Sequence, residues 1–143
     1  MTDNWGRRLY LASATMMIIM GLVHSISLFT QPVAHNDTER QLNDLLNNYR
    51  FNALGSMRSM QDFLQGFSIS FMLAALVLGA LAFAVSRERL GLLKRVALVN
   101  ILWLVAMLAT SLRYFFIVPT SFLSVTLLLF VLAWFKLPAD QPS

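Results

Sequence analysis

Four apolar runs, at approximately 9–29, 64–86, 95–116 and 119–137, dominate this 143-residue chain and leave it few ways to fold. Each is about 20 residues long, the length at which a helix rising about 1.5 Å per residue crosses about 30 Å of hydrocarbon. A helix also satisfies its backbone N–H and C=O groups within one segment, which a bilayer interior demands. Composition agrees: 13% of the residues are charged, against about 25% in a soluble domain, and the mean hydropathy is +0.64. The expected fold is all-α, a four-helix transmembrane bundle forming one domain over 1–143, with no convincing internal repeat or linker.

Four spans put both termini on one side, and the flanking charges say which. Arg7, Arg8, Arg87, Arg89, Lys94, Arg95 and Lys136 fall together, against Arg40, Arg50, Arg58 and Arg113 at the other end. The positive-inside rule then makes both termini cytoplasmic, in a membrane expected to be the bacterial inner membrane. The same distribution accounts for the net charge of +4 without nucleic acid, since no Lys/Arg stripe carries interleaved aromatics. Arg7 and Arg8 before an apolar stretch, with Ser25 and Ser27 after it, resemble a secretory signal. The run is too long for a typical signal core, so a retained helix is expected. Trp5, Tyr10, Tyr114 and Trp134 suit interfacial anchors, Pro119 suits the first turn of the fourth helix, and Pro138 marks its end.

The connection of approximately 30–63 is too long for an idle turn. Thr38 with Gln41 fits a capping box, Asp37 and Glu39 suit a helix N-terminus, and Leu42, Leu45, Leu46 and Tyr49 keep helical spacing. A short amphipathic helix is expected there, its apolar side on the bundle mouth or the headgroups. Either a lid or a plain interfacial connector fits that description. Two small-residue stripes mark the second span, Gly66, Ser70 and Ala74, and Ala75 with Gly79. Ser13, Gly21 and Ser25 mark the first similarly; such stripes let helices approach closely in lipid.

Depth separates the polar residues. Counting about 1.5 Å per residue from Thr30 puts His24 about 9 Å below the outer boundary. Ser68, Ser70, Thr110, Ser111, Ser121 and Ser124 share that outer third, with Asp62, Gln65 and Arg113 just above it. Asn100 lies deeper, where an interhelical hydrogen bond is its expected use. An ionisable group inside a membrane is by default a candidate site, although one bond from a hydroxyl would satisfy much of a neutral imidazole. A structural His24, a ligand-binding one and a proton-transferring one all remain open. Asp62 and Arg113 read either as interfacial anchors or as an ion pair tuning His24.

Catalytic and metal signatures are missing from the sequence. Cysteine is absent, which removes thiolate nucleophiles and Cys-ligated metals. His35 falls in the outer loop, so it cannot join His24 around a haem. No HExxH, P-loop, paired carboxylate or glycine-rich dinucleotide motif occurs. None of Asp3, Asp37, Glu39, Asp44, Asp62, Glu88 and Asp140 is expected at mid-membrane, where proton-coupled carriers commonly bury one. No catalytic residue, metal ligand set or cofactor class is therefore assigned.

Gly21-Leu-Val-His24 in the first span, the long outer loop and Gly66-Phe67-Ser68 in the second resemble an uncharacterised group of small bacterial four-helix integral membrane proteins of about 140 residues. The resemblance covers most of the chain in length and layout. It implies the four-span topology, carries no activity, and singles out Gly21, His24, Gly66 and Ser68 for testing. The residues themselves favour a non-enzymatic membrane protein that binds a lipid-like or amphiphilic molecule around His24, with Ser68, Ser70, Thr110, Arg113 and Asp62 as candidate contacts. Alternatively it is a subunit of a larger membrane complex. Two other readings stay open: a membrane-embedded enzyme or redox accessory using His24 with Asp62 and Arg113, and an oligomeric channel or transporter. Membrane lipids, a second copy or a larger complex are the expected partners.

Overall fold

The computed structural model describes residues 3–30 and 33–138; Asp140 lies outside them. In chain order the elements are α1 (Asp3–Ile26), α2 (Asp37–Asn48), β1 (Arg50–Ala53), β2 (Ser56–Ser59), α3 (Met60–Ala84), a 3-10 turn (Val85–Arg87), α4 (Leu90–Tyr114) and α5 (Ile117–Lys136). Four of these helices are long and apolar enough to cross a membrane, as the apolar runs require. Even α5, at 20 residues, covers about 30 Å. The first helix stops at Ile26, short of the expected end near 29, for a local reason. Ser27, Leu28 and Phe29 donate their backbone N–H groups to the carbonyls of His24, Ser25 and Ile26, each at 3.1 Å. These are three-residue steps that tighten a helix end. The Ser25 and Ser27 hydroxyls take the Leu22 and His24 carbonyls as well, at 2.6 and 2.7 Å.

Packing divides the chain into two compact units, Met1–Met20 with Ala75–Ser143, and Gly21–Ala74. In the first unit the buried residues include Tyr10, Ala14 and Met17 of α1, Ala75 and Ala82 of α3, Leu93, Ala97 and Leu104 of α4, and Phe130 and Ala133 of α5. Gly79 explains how closely α1 and α3 approach. A Cβ there would lie 2.8 Å from the Ile18 side chain and 3.3 Å from the Ala14 carbonyl, so only glycine permits this crossing. The Ala75/Gly79 stripe is thus occupied within the chain. Helices α4 and α5 form an antiparallel pair joined by Phe115 and Phe116 alone, tied near that turn by a Ser111–Thr120 hydroxyl bond of 2.8 Å.

Basic residues gather where α1 and α4 begin and α3 and α5 end. Arg7 donates to the Ser86 and Glu88 carbonyls at 2.6 and 3.1 Å. Lys94 donates to the Leu137 carbonyl at 3.3 Å and lies 4.7 Å over the Trp134 ring. Gly6 lies against the Lys136 backbone, where a Cβ would come within 3.0 Å. Carbonyls that helix ends leave without an intrahelical donor are thereby satisfied by cations, which also suit the negative end of the helix dipole.

Two expectations about polar side chains in this unit need correction. Tyr10 is no interfacial anchor: it is 0% exposed and packs edge-on against Phe130, ring centroids 6.0 Å apart. Asn100 donates not across helices but to the Val96 carbonyl of its own helix, at 2.9 Å. Its Oδ1 is buried without a partner.

The second unit holds the connection between the first and second apolar runs. Helix α2 forms where expected, but Asn36 caps it, not Thr38. The Asn36 side chain accepts from the Glu39 N–H at 2.9 Å, while Glu39 accepts from the His35 N–H and the Asn36 amide at 2.7 and 3.0 Å. Reciprocal capping of this kind satisfies N–H groups that the first turn leaves orphaned. The segment after α2 is an unexpected β-hairpin, Arg50 opposite Ser59 and Ala53 opposite Ser56. Leu54 and Gly55 make its turn with φ of 50° and 90°, and Asn52 Oδ1 accepts from the Gly55 N–H at 2.7 Å. Phe51 of β1 stacks on Phe63 of α3, centroids 5.7 Å apart.

Candidate functional site

The candidate residues of Gly21–Ala74 fall on two faces of α3. Successive helical residues turn about 100°, so Asp62, Gly66, Ile69 and Ser70 share one face while Ser68 and Phe71 point away from it. The His24 ring takes the second face. It lies beside the Ser68 backbone and meets the Phe71 ring edge-on at 4.9 Å, while its Nε2 is buried without a partner. Those neighbours are not titratable, so they offer no acid–base partner of the kind general catalysis needs within hydrogen-bond reach.

The first face carries an open groove of about 560 Å³, lined by Arg58, Asp62, Phe63, Gln65, Gly66, Phe67, Ile69 and Ser70. Its chemistry changes along the helix. At the N-terminal end stand the Arg58 guanidinium from β2, the Asp62 carboxylate and the Gln65 amide. Phe63 stands among them, and past Gly66 toward Ser70 the lining becomes Phe67 and Ile69. Gly66 lies at the centre, where a Cβ would meet nothing within 4 Å, so its missing side chain leaves open space rather than a helix contact.

Asp62 is fixed by the start of α3 itself. Ser59 donates its N–H to Asp62 Oδ2 at 2.9 Å, and Asp62 donates its N–H to the Ser59 hydroxyl at 3.1 Å. This reciprocal cap closes the hairpin onto α3 and holds Arg58, the residue before Ser59, at the groove mouth. Ser70 gives its hydroxyl proton to the Gly66 carbonyl at 2.9 Å, leaving oxygen lone pairs toward the groove.

Thr110 and Arg113 belong to the other unit. Thr110 bonds back to the Ala106 carbonyl at 3.0 Å, and Ser121 and Ser124 do likewise to Ile117 and Thr120 at 2.8 Å. Arg113 is exposed in the last turn of α4, where a cation complements the dipole. Hydroxyls that depth alone assigns to one polar layer thus largely serve their own helices. Arg58 was not among the candidates picked from the sequence; its signal is its place one residue before a Ser-x-x-Asp cap.

Among the described residues no group of three or more His, Asp and Glu side chains could hold a metal ion. In comparisons with protein families, with curated proteins and with solved structures, nothing matched this chain.

Proposed function

We propose that this multi-pass membrane protein is a non-enzymatic binder of a lipid-like amphiphile, held in the α3 groove within the outer leaflet of a bacterial cytoplasmic membrane. One observation carries the reading: the lining passes from a mouth holding Arg58, Asp62 and Gln65 to Phe67 and Ile69 across the open Gly66. That order matches a polar headgroup followed by an acyl chain, and a guanidinium is suited to a phosphate or carboxylate. An enzyme using His24 with Asp62 has less support, because the Asp62 carboxylate is engaged by Ser59 and His24 faces away from the groove.

A second copy of the chain is the competing occupant, since Gly66, Ser70 and Ala74 form the stripe over which close helix contacts are made in lipid. Native mass spectrometry of gently purified wild type, Gly66→Leu and Arg58→Ala separates the two. Retained amphiphile lost in both variants at unchanged oligomeric mass supports the proposal. A dimer in the wild type that Gly66→Leu splits would assign the face to self-association.

A further inference from the structure

A second groove, of about 610 Å³, lies in the other unit, at the basic end. Arg7, Leu11 and Thr15 of α1 form one wall; Phe83 and Ala84 of α3 with Ser86 and Arg87 of the 3-10 turn form the other. The two guanidiniums stand at one end and no carboxylate lines it. Arg7, Leu11 and Thr15 recur every four residues, one face of a helix, and Thr15 lies about 12 Å along α1 from Arg7. From its two arginines the groove therefore runs along α1 into the hydrophobic span.

Arg7 is preset for an anion. Its Nη1 and Nη2 donate to the Ser86 and Glu88 carbonyls at 2.6 and 3.1 Å, which fixes the guanidinium plane before anything binds. A guanidinium has five N–H donors, so three remain. Arg87 is exposed, in the turn whose Ser86 carbonyl Arg7 holds, and the same short stretch thus sets both cations. Two guanidiniums above an apolar trough have the complementary charge and shape for one occupant, a phospholipid with net negative charge. A zwitterionic lipid would bring its own ammonium group to a site already carrying two positive charges.

We propose that this groove binds an anionic phospholipid, its phosphodiester on Arg7 and Arg87 and one acyl chain along Leu11, Thr15 and Phe83. The site is separate from the α3 groove of the proposed function and stands or falls independently of it.

The test is native mass spectrometry of delipidated protein titrated with phosphatidylglycerol, with phosphatidylcholine of the same acyl chains, and with inorganic phosphate. Wild type should take its first phosphatidylglycerol at least about fivefold more tightly than phosphatidylcholine, the preference expected of one surface arginine. Arg87→Gln should reduce that ratio severalfold, and Thr15→Trp, which fills the trough from an exposed position, should weaken the first adduct of both lipids. Equal binding of the two lipids by the wild type would overturn the proposal, as would a preference unchanged in Arg87→Gln or first adducts unchanged in Thr15→Trp. Inorganic phosphate competing with the first phosphatidylglycerol at equal concentration would also overturn it, in favour of a free-anion site.

Discussion

Leu54 and Tyr10 are each out of keeping with their surroundings, in opposite ways. Leu54 holds a left-handed φ of 50° in a hairpin turn, where Asn, Asp or Gly avoids a penalty of about 1–2 kcal/mol. It is fully exposed, so packing does not repay the strain. Leu54→Asn should therefore stabilise the hairpin by about 1 kcal/mol, read as slower backbone amide exchange over Arg50–Ser59; unchanged or faster exchange would show that the leucine makes a compensating contact in the membrane. Tyr10 buries its hydroxyl without a hydrogen-bond partner. Leaving a buried polar group unsatisfied costs about 1–3 kcal/mol, so Tyr10→Phe should leave thermal stability in detergent unchanged or raise it. A loss of more than about 1 kcal/mol would mean that the hydroxyl has a partner after all.

At the scale of elements, two glycines of α3 make opposite predictions. Gly79 sits where a Cβ would collide with Ile18, and Gly66 where it would meet nothing. Gly79→Leu should destabilise the fold by several kcal/mol, an overpacked interface, whereas Gly66→Leu should change stability little; comparable melting shifts would contradict the contrast. Asn36→Ala should cost about 1 kcal/mol of α2 stability, seen as lost helicity in a peptide spanning 33–49. The apolar runs made the four long helices legible, because length and hydropathy suffice for them. The hairpin was not, since Arg50–Ser59 has a Leu-Gly turn in place of the Asn-Gly or Asp-Gly that signals one. Asn36-x-x-Glu39 does not stand out as the cap because Thr38 and Gln41, nearer the leucine run, fit the same pattern. Within the candidate site, residue counting found depth but not direction. His24 and Asp62 are neighbours in height by that count, yet the 100° step turns Ser68 and Asp62 to different faces of α3. The back-bonding of Thr110, Ser121 and Ser124 to their own helices left no mark in the sequence.

For the whole molecule, orientation is the property that both binding proposals depend on, and the absence of cysteine makes it directly measurable. A membrane-impermeant maleimide added to intact cells should label Asn47→Cys in α2 and reach Arg89→Cys only after permeabilisation. The reverse pattern would invert the membrane sides assigned from the basic residues. The two-residue connection between α4 and α5 bears on how the chain reaches that orientation. Tyr114, Phe115, Phe116, Ile117 and Val118 are all exposed and apolar, so the turn brings no hydrophilic loop to be translocated. Arg113 is the one charged residue between Arg95 and Lys136, and a single arginine at mid-bilayer costs about 2.5–3.5 kcal/mol on insertion scales. The Ser111–Thr120 bond can close as soon as both strands of that turn have been synthesised. During biogenesis α4 and α5 can therefore enter the bilayer together as a prefolded pair, with the loop between them crossing inside the lipid instead of through an aqueous passage.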